Sequence, residues 1–218
     1  MVRPRSLRAL VFDAYGTLFD VHSLVDLCEQ IWPGKGAALS QLWRAKQLEY
    51  TWQRSLMQRY EDFARITEAG LRYACAALGL QLDEERCRAL MGAYLKLSTF
   101  PEVRGALAAL KASKLKLAIL SNGSAAMLRP LVVNAGLRSL MGIVISVDQK
   151  KIYKPAPAVY RLATQRLRVP KTAIGFVSSN CWDACGGEVL RLSHLLGQPR
   201  RRTRRRAGRG SGSRHQEP

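Results

Sequence analysis

At 218 residues the chain suits one domain, or one domain carrying an insertion. Its 47% hydrophobic and 23% charged residues suffice to bury a core, which excludes a chain disordered by composition. The net charge of +19 is unevenly spread, with nine arginines and two acidic residues from Glu188 onward, so the end of the chain needs a reading of its own.

The N-terminal stretch MVRPRSLRALVFDAYG carries a short apolar run that enters Asp13 directly. It lacks the small-residue cleavage site of a signal peptide and reads as a first strand. No apolar run reaches about eighteen residues, so no membrane span is expected. Three later segments repeat the pattern of an apolar run ending in small polar residues: LKLAILSNG (Leu115–Gly123), GIVISVD (Gly142–Asp148) and AIGFVSSN (Ala173–Asn180). Helical stretches lie between them at Glu102–Ala112, Ala125–Ala135 and Ala156–Arg168. Short apolar runs alternating with helices predict an α/β fold with a Rossmann-like parallel sheet.

Residues from Val21 to Leu97 differ. Leu39, Leu42, Trp43, Leu48, Trp52, Leu56, Tyr60 and Phe63 recur at helical spacing and no strand is evident. The expected organisation is a catalytic core at 1–20 and 98–187, an inserted α-helical cap at 21–97, and a basic, disordered tail at 188–218. Five cysteines (Cys28, Cys75, Cys87, Cys181 and Cys185) are odd in number and lack CxxC spacing. They predict a reduced, cytoplasmic protein without disulfides or a zinc site, with Cys181 and Cys185 packed inside. The three histidines, His22, His194 and His215, form no ligand cluster.

In an open parallel sheet, ligands gather at the carboxyl ends of the strands. Asp13, Ser121, Asn122, Ser178, Ser179 and Asn180 all fall there. A carboxylate on such a turn can bind a metal, or it can attack an electrophile and form an ester.

Asp13-Ala14-Tyr15-Gly16-Thr17 resembles the nucleophile loop of the haloacid dehalogenase superfamily. The stretches LWRAKQLEYTWQRSLM, AILSNGS, YKPAPAVY and FVSSNCWDACG resemble, in order, the motifs of its L-2-haloacid dehalogenases, the type II branch. The likeness runs from the first strand to about Gly187. Phosphatases of the superfamily carry a second aspartate where Tyr15 stands, to protonate the leaving alkoxide. Tyrosine, with an ordinary pKa of about 10, is a poor substitute. A halide departs without a proton, so Tyr15 favours carbon–halogen cleavage.

The resemblance implies a role for each matching residue. Asp13 would displace halide from C2 with inversion, forming an aspartyl ester, and Thr17 would fix the nucleophile loop. Arg44 would receive the halide. Ala14, Tyr15, Leu48, Phe63 and Trp182 would contribute to the substrate pocket, and Ser121 and Asn122 would face the substrate carboxylate and the halide. Lys154 would set a positive charge beside Asp13, with Tyr160, Ser178 and Asn180 supporting the polar network. Asp183 would position or deprotonate the hydrolytic water. The implied activity is hydrolysis of short L-2-haloalkanoic acids to D-2-hydroxy acids, with neither metal nor organic cofactor, and a homodimer is common among relatives. Ala45 stands where relatives often carry Gln, which would slightly enlarge or dry the pocket. A Mg²⁺-dependent phosphatase is the enzymatic alternative, although Tyr15 and Lys154 both count against its metal site.

Beyond WDACGG the pattern breaks. EVLRLSHLLGQPRRRTRRRAGRGSGSRHQEP has no evident strand and ends Arg-, Gly- and Ser-rich, so the last core strand is expected to be missing. A shifted reading frame near Gly187 would account for the break. Its expected consequences are an unpaired edge at AIGFVSS, impaired folding, and nonspecific binding of polyanions by the tail without specific recognition of nucleic acid.

Overall fold

The computed structural model describes residues 7–188 and the backbone of the strand at 193–196. Five strands, β1 (Ala9–Phe12), β2 (Lys116–Ser121), β3 (Ile143–Ser146), β4 (Ile174–Ser178) and β5 (Ser193–Leu196), form one parallel sheet in the order β3-β2-β1-β4-β5. The predicted missing strand is thereby corrected. Ser193–Leu196 pairs with Gly175–Ser178, so β4 is not an edge. A four-residue stub, Ser-His-Leu-Leu, is enough to extend the ladder, even in a basic context. The remainder of the expected tail, and any frame change expressed in it, lies outside the described residues.

β1 is central and all four of its residues are buried, because it is covered on both faces and paired on both edges. Val11 lies opposite both Ala118 and Phe176. Helices α5 (Val103–Ala112) and α6 (Ala125–Asn134) pack on β2 and β3, respectively. α7 (Pro157–Leu167) touches β2 and β3, and α8 (Cys181–Glu188) packs on β4 and β5. This places the loops after β1, β2 and β4, which carry the site, at one end of the sheet.

Between β1 and α5 the regular elements of the described chain are helical, apart from isolated bridges at Tyr15–Phe19 and Phe19–Thr99: α1 (Val25–Ile31), α2 (Gly36–Leu56), α3 (Phe63–Ala77) and α4 (Glu84–Ala93), with short 3₁₀ turns at Val21–Leu24 and Tyr94–Lys96. Asp62 and Asp83 cap α3 and α4, accepting from the N–H groups of Ala64 (2.6 Å) and Arg86 (2.8 Å). The outgoing and returning chains are tied together: Asp20 N–H donates to the Ser98 carbonyl (2.8 Å), and Phe100 N–H to that of Leu18 (3.3 Å). α2 buries a stripe of Leu39, Ser40, Trp43, Gln47 and Thr51, largely against α3. Leu56, expected on that periodic face, is 84% exposed, since α2 ends there and the stripe turns away.

The cysteines divide differently from the expectation. Cys28, Cys75 and Cys87 are buried in the cap, whereas Cys181 and Cys185 are exposed on α8. They lie four residues apart on one helix face, opposite Asp183, Ala184, Gly186 and Gly187, which fill the inner face.

Candidate active site

Asp13 follows the last residue of β1, and its N–H continues the ladder by donating to the Val177 carbonyl (2.9 Å). Its side chain is therefore held by backbone pairing before any side-chain contact forms. One carboxylate oxygen, Oδ1, receives the Lys154 ammonium at 3.1 Å. The other, Oδ2, accepts from Asn180 Nδ2 at 2.9 Å and Thr17 Oγ1 at 3.2 Å. Gly16, at φ +88°, turns the loop tightly enough for Asn180 to pass beside it.

Lys154 is 1% exposed and bridges two carboxylates, with Asp183 Oδ2 at 2.8 Å on its far side. Burial alone would pull its pKa down, but Asp13 and Asp183 outweigh it and raise the pKa, so the ammonium stays charged. Burial pushes the Asp183 carboxyl up, against the pull of Lys154, and makes it a stronger base than an ordinary aspartate. Asp183 Oδ1 accepts from Tyr160 Oη at 2.6 Å. Burial, followed by the Asp183 charge, keeps that phenol protonated and donating. Tyr160 reaches Asp183 because Gly186 has no side chain: a methyl group there would collide with the Tyr160 hydroxyl.

The donor set does not fit a divalent cation. The Lys154 ammonium already lies between Asp13 and Asp183, and among the described residues no cluster of His, Cys, Asp and Glu could hold a metal.

Asp13 opens onto a small cavity of about 10 Å³, lined also by Tyr15, Arg44, Leu48, Phe63, Ser121, Asn122 and Trp182. Every substrate-pocket residue expected from the sequence is on that wall except Ala14. Ala14 is buried, and its carbonyl accepts from the N–H groups of Thr17, Leu18 and Phe19, so it shapes the loop behind the pocket. Ala45 is exposed and does not line the cavity, so its expected effect on pocket size is also corrected. Arg44 enters from α2, with Nη2 donating to the Tyr15 carbonyl (3.1 Å) and Nη1 to Gln47 Oε1 (2.7 Å). A cleft of about 560 Å³ adjoins the cavity at Arg44 and Leu48 and reaches Thr17 and Asn180.

Tyr15 packs on Phe63 and Tyr94, with ring centroids 5.4 and 5.5 Å away. Its buried hydroxyl has no hydrogen-bond partner among the described residues. Burial first, then Tyr94, raise its pKa well above the ordinary value despite Arg44. It is thus a phenol that keeps its proton and cannot replace an acidic general acid.

Ser121 and Asn122 on the wall, and Ser178 behind it, also brace the loops. Ser121 Oγ accepts from Gly123 N–H (3.1 Å), Asn122 Oδ1 from Lys154 N–H (2.9 Å), and Ser178 Oγ from Asn180 N–H (3.2 Å). Each fixes a loop that carries another site residue. Sequence reasoning missed Gln47, Thr67 and Tyr94, which are joined behind Arg44. The available signal was a glutamine on the buried stripe of α2, where an apolar residue is the norm.

A family model for haloacid dehalogenase-like hydrolases matches residues 7–190. The chain belongs to the haloacid dehalogenase-like hydrolases. It is 52% identical over 184 residues to the (S)-2-haloacid dehalogenase of Pseudomonas sp. (strain YL), covering 84% of this chain and 79% of that one. It is 46% identical over 186 residues to haloacetate dehalogenase H-2 of Moraxella sp. (strain B), covering 85% and 83%. The L-2-haloacid dehalogenase of Xanthobacter autotrophicus superposes with a TM-score of 0.83 at 45% identity, over 87% of this chain and 77% of that one. A second structure of that enzyme carries chloropropionic acid covalently bound and gives the same values. Within its family the chain is placed with the 2-haloacid dehalogenases. No helix among the described residues is long and apolar enough to cross a membrane.

Proposed function

We propose that the protein hydrolyses short-chain L-2-haloalkanoic acids to D-2-hydroxy acids and halide. The observation that carries this reading is a carboxylate, Asp13, clamped between a buried ammonium and an amide, facing a guanidinium across an aromatic-walled cavity to which the described residues bring no acidic proton donor.

An Asp13 carboxylate oxygen attacks C2 from the side opposite the halogen. The C–O bond forms as the C–X bond breaks, and the electron pair leaves with the halide toward Arg44. A preformed cation is what the developing negative charge requires. The Tyr15 hydroxyl, which has no hydrogen-bond partner among the described residues, is available to the same anion or to the substrate. Ser121, Asn122 and the neighbouring loop amides suit the substrate carboxylate, while Leu48, Phe63 and Trp182 surround the alkyl group and halogen. The product of this step is an aspartyl ester with inverted C2.

Water then attacks the ester carbonyl carbon of Asp13. Asp183 takes its proton, Lys154 steadies the oxyanion, and the bond between the Asp13 carbonyl carbon and the ester oxygen breaks. The departing alkoxide takes that proton back from Asp183 and leaves as the hydroxy acid, and the second water proton passes from the Asp13 carboxyl to solvent. Asp13 keeps one oxygen from water and the product keeps one from Asp13. The cavity holds about one water-sized sphere, too little for a haloacid, so the reading includes a separation of cap and core that admits substrate. The reading extends to a cytoplasmic location, supported by five unpaired cysteines, and to a homodimer through the cap, supported by exposed Leu56 and Met57.

Halide release from the L and D enantiomers of 2-chloropropionate, with and without chelator, tests this proposal. The L enantiomer reacts, the chelator has no effect, and Asp13→Ala is inactive. Phosphate release that requires Mg²⁺, without halide release, would overturn it.

A further inference from the structure

Gln47 lies one helical turn beyond Arg44 on α2 and is fully buried. A buried amide demands partners for its polar atoms, and both ends of this one are engaged. Nε2 donates to Thr67 Oγ1 at 2.7 Å, while Oε1 accepts from Arg44 Nη1 at 2.7 Å and from Tyr94 Oη at 3.0 Å.

The partners dictate which way the amide faces. The Thr67 hydroxyl gives its proton to the Phe63 carbonyl (2.6 Å), so toward Gln47 it can only accept. A guanidinium can only donate. Turning the amide over would set N–H against N–H at Arg44 and oxygen against oxygen at Thr67. Thr67 on α3 therefore orients Gln47, and Gln47 receives one arm of the Arg44 fork. The other arm is held from the core by the Tyr15 carbonyl at 3.1 Å. Two tethers on a rigid planar group fix both its place and its plane.

We infer that Gln47 is a positioning residue that holds Arg44 ready for the departing halide. The inference rests on the halide-acceptor reading of Arg44 given above. An untethered arginine on a half-buried helix face would have to reorganise as charge develops on the halogen, whereas a pre-aimed one does not. Tyr94 draws the pocket wall into the same arrangement, since its ring packs 5.5 Å from that of Tyr15 while its hydroxyl bonds Gln47.

The test uses Gln47→Leu, which removes the amide at similar volume, and Thr67→Val, which leaves Gln47 in place but frees its nitrogen. Single-turnover halide release is measured with L-2-bromopropionate and L-2-chloropropionate, together with KM and the bromide-induced rise in melting temperature. Chloride is the poorer leaving group and needs more stabilisation. Gln47→Leu is expected to slow chloride release by about 10- to 100-fold, the scale of a misplaced catalytic group, and to slow bromide release less. KM stays within about twofold, because the substrate carboxylate is held elsewhere. Thr67→Val shifts the bromide-to-chloride ratio in the same direction by less, and serves alone should Gln47→Leu not fold.

Equal slowing of both substrates, with the bromide-induced stabilisation unchanged, would reduce Gln47 to a packing residue and overturn the inference. The bromide measurement needs no turnover and separates the two proposals. Wild type stabilised by bromide beside an unresponsive Gln47→Leu upholds the positioning role even if halide release is absent.

Discussion

On the core side of the cavity, Asp13, Lys154 and Asp183 form a buried ionic chain on the loops that follow parallel strands. On the cap side, Arg44 is the charged cavity residue, held by the neutral Gln47 amide and the Tyr15 carbonyl, with Thr67 and Tyr94 behind that amide. The two sides divide the proposed chemistry. The core supplies nucleophile, counter-charge and base from positions fixed by strand hydrogen bonds. In this reading the cap supplies the leaving-group site and the apolar walls and moves to admit substrate. Damage to the core should therefore stop a chemical step, whereas damage to the cap should alter which halogen and which substrate are favoured.

The largest departure is expected from Asp183→Asn. Without the base, ester hydrolysis slows by about 10²- to 10⁴-fold while the first displacement persists. A burst of one halide per site, followed by a stall with the alkyl group on Asp13, would be seen by rapid quench and mass spectrometry. An equal loss in both steps would break the proposed division of labour.

Lys154→Met comes next. It leaves two carboxylates buried without their cation, and the loss of a buried pair's partner costs about 3–5 kcal/mol, measurable by denaturant unfolding. The sign with pH follows from the raised pKa of Lys154. Its stabilising contribution is complete below the ordinary lysine value and is lost as pH rises through the higher folded value. Wild-type stability should fall steeply in that alkaline range, and Lys154→Met should lack this component.

A smaller effect is expected of Tyr160→Phe. It removes one hydrogen bond to Asp183, worth about 1.5–3 kcal/mol for a charged acceptor, and slows ester hydrolysis more than halide release. The least severe is Tyr60→Phe, at another core–cap contact, where the Tyr60 hydroxyl donates to Asp148. That change should leave the chemical steps intact and alter substrate entry, read as a changed kcat/KM at an unchanged single-turnover rate.

The same contrast explains what the sequence made legible. β1, β2 and β4 are apolar runs that end at or just before residues of the site, so Asp13, Ser121 and Asn180 could be located from pattern, and family likeness then supplied their roles. Lys154 and Asp183 meet only after α7 and α8 fold, but their motifs stand at recognisable places in the chain. The cap gave a helical period and little more. Gln47, Thr67 and Tyr94 lie on three separate helical segments, and no spacing along the chain announces that they converge behind Arg44. Ser193–Leu196 was hidden for another reason: four residues amid basic sequence carry too little pattern, and pairing to β4 decides their state. Cys181 and Cys185 were misjudged because residue type alone does not tell which face of a short helix turns inward.

The most direct test of the central claim is a single turnover with enzyme in excess, in water enriched in ¹⁸O. Attack by Asp13 predicts an unlabelled hydroxy acid and one heavy oxygen in the Asp13 side chain, found by peptide mass spectrometry. Label in the first-formed hydroxy acid, with none in Asp13, would mean that water displaces the halide directly and would contradict the account.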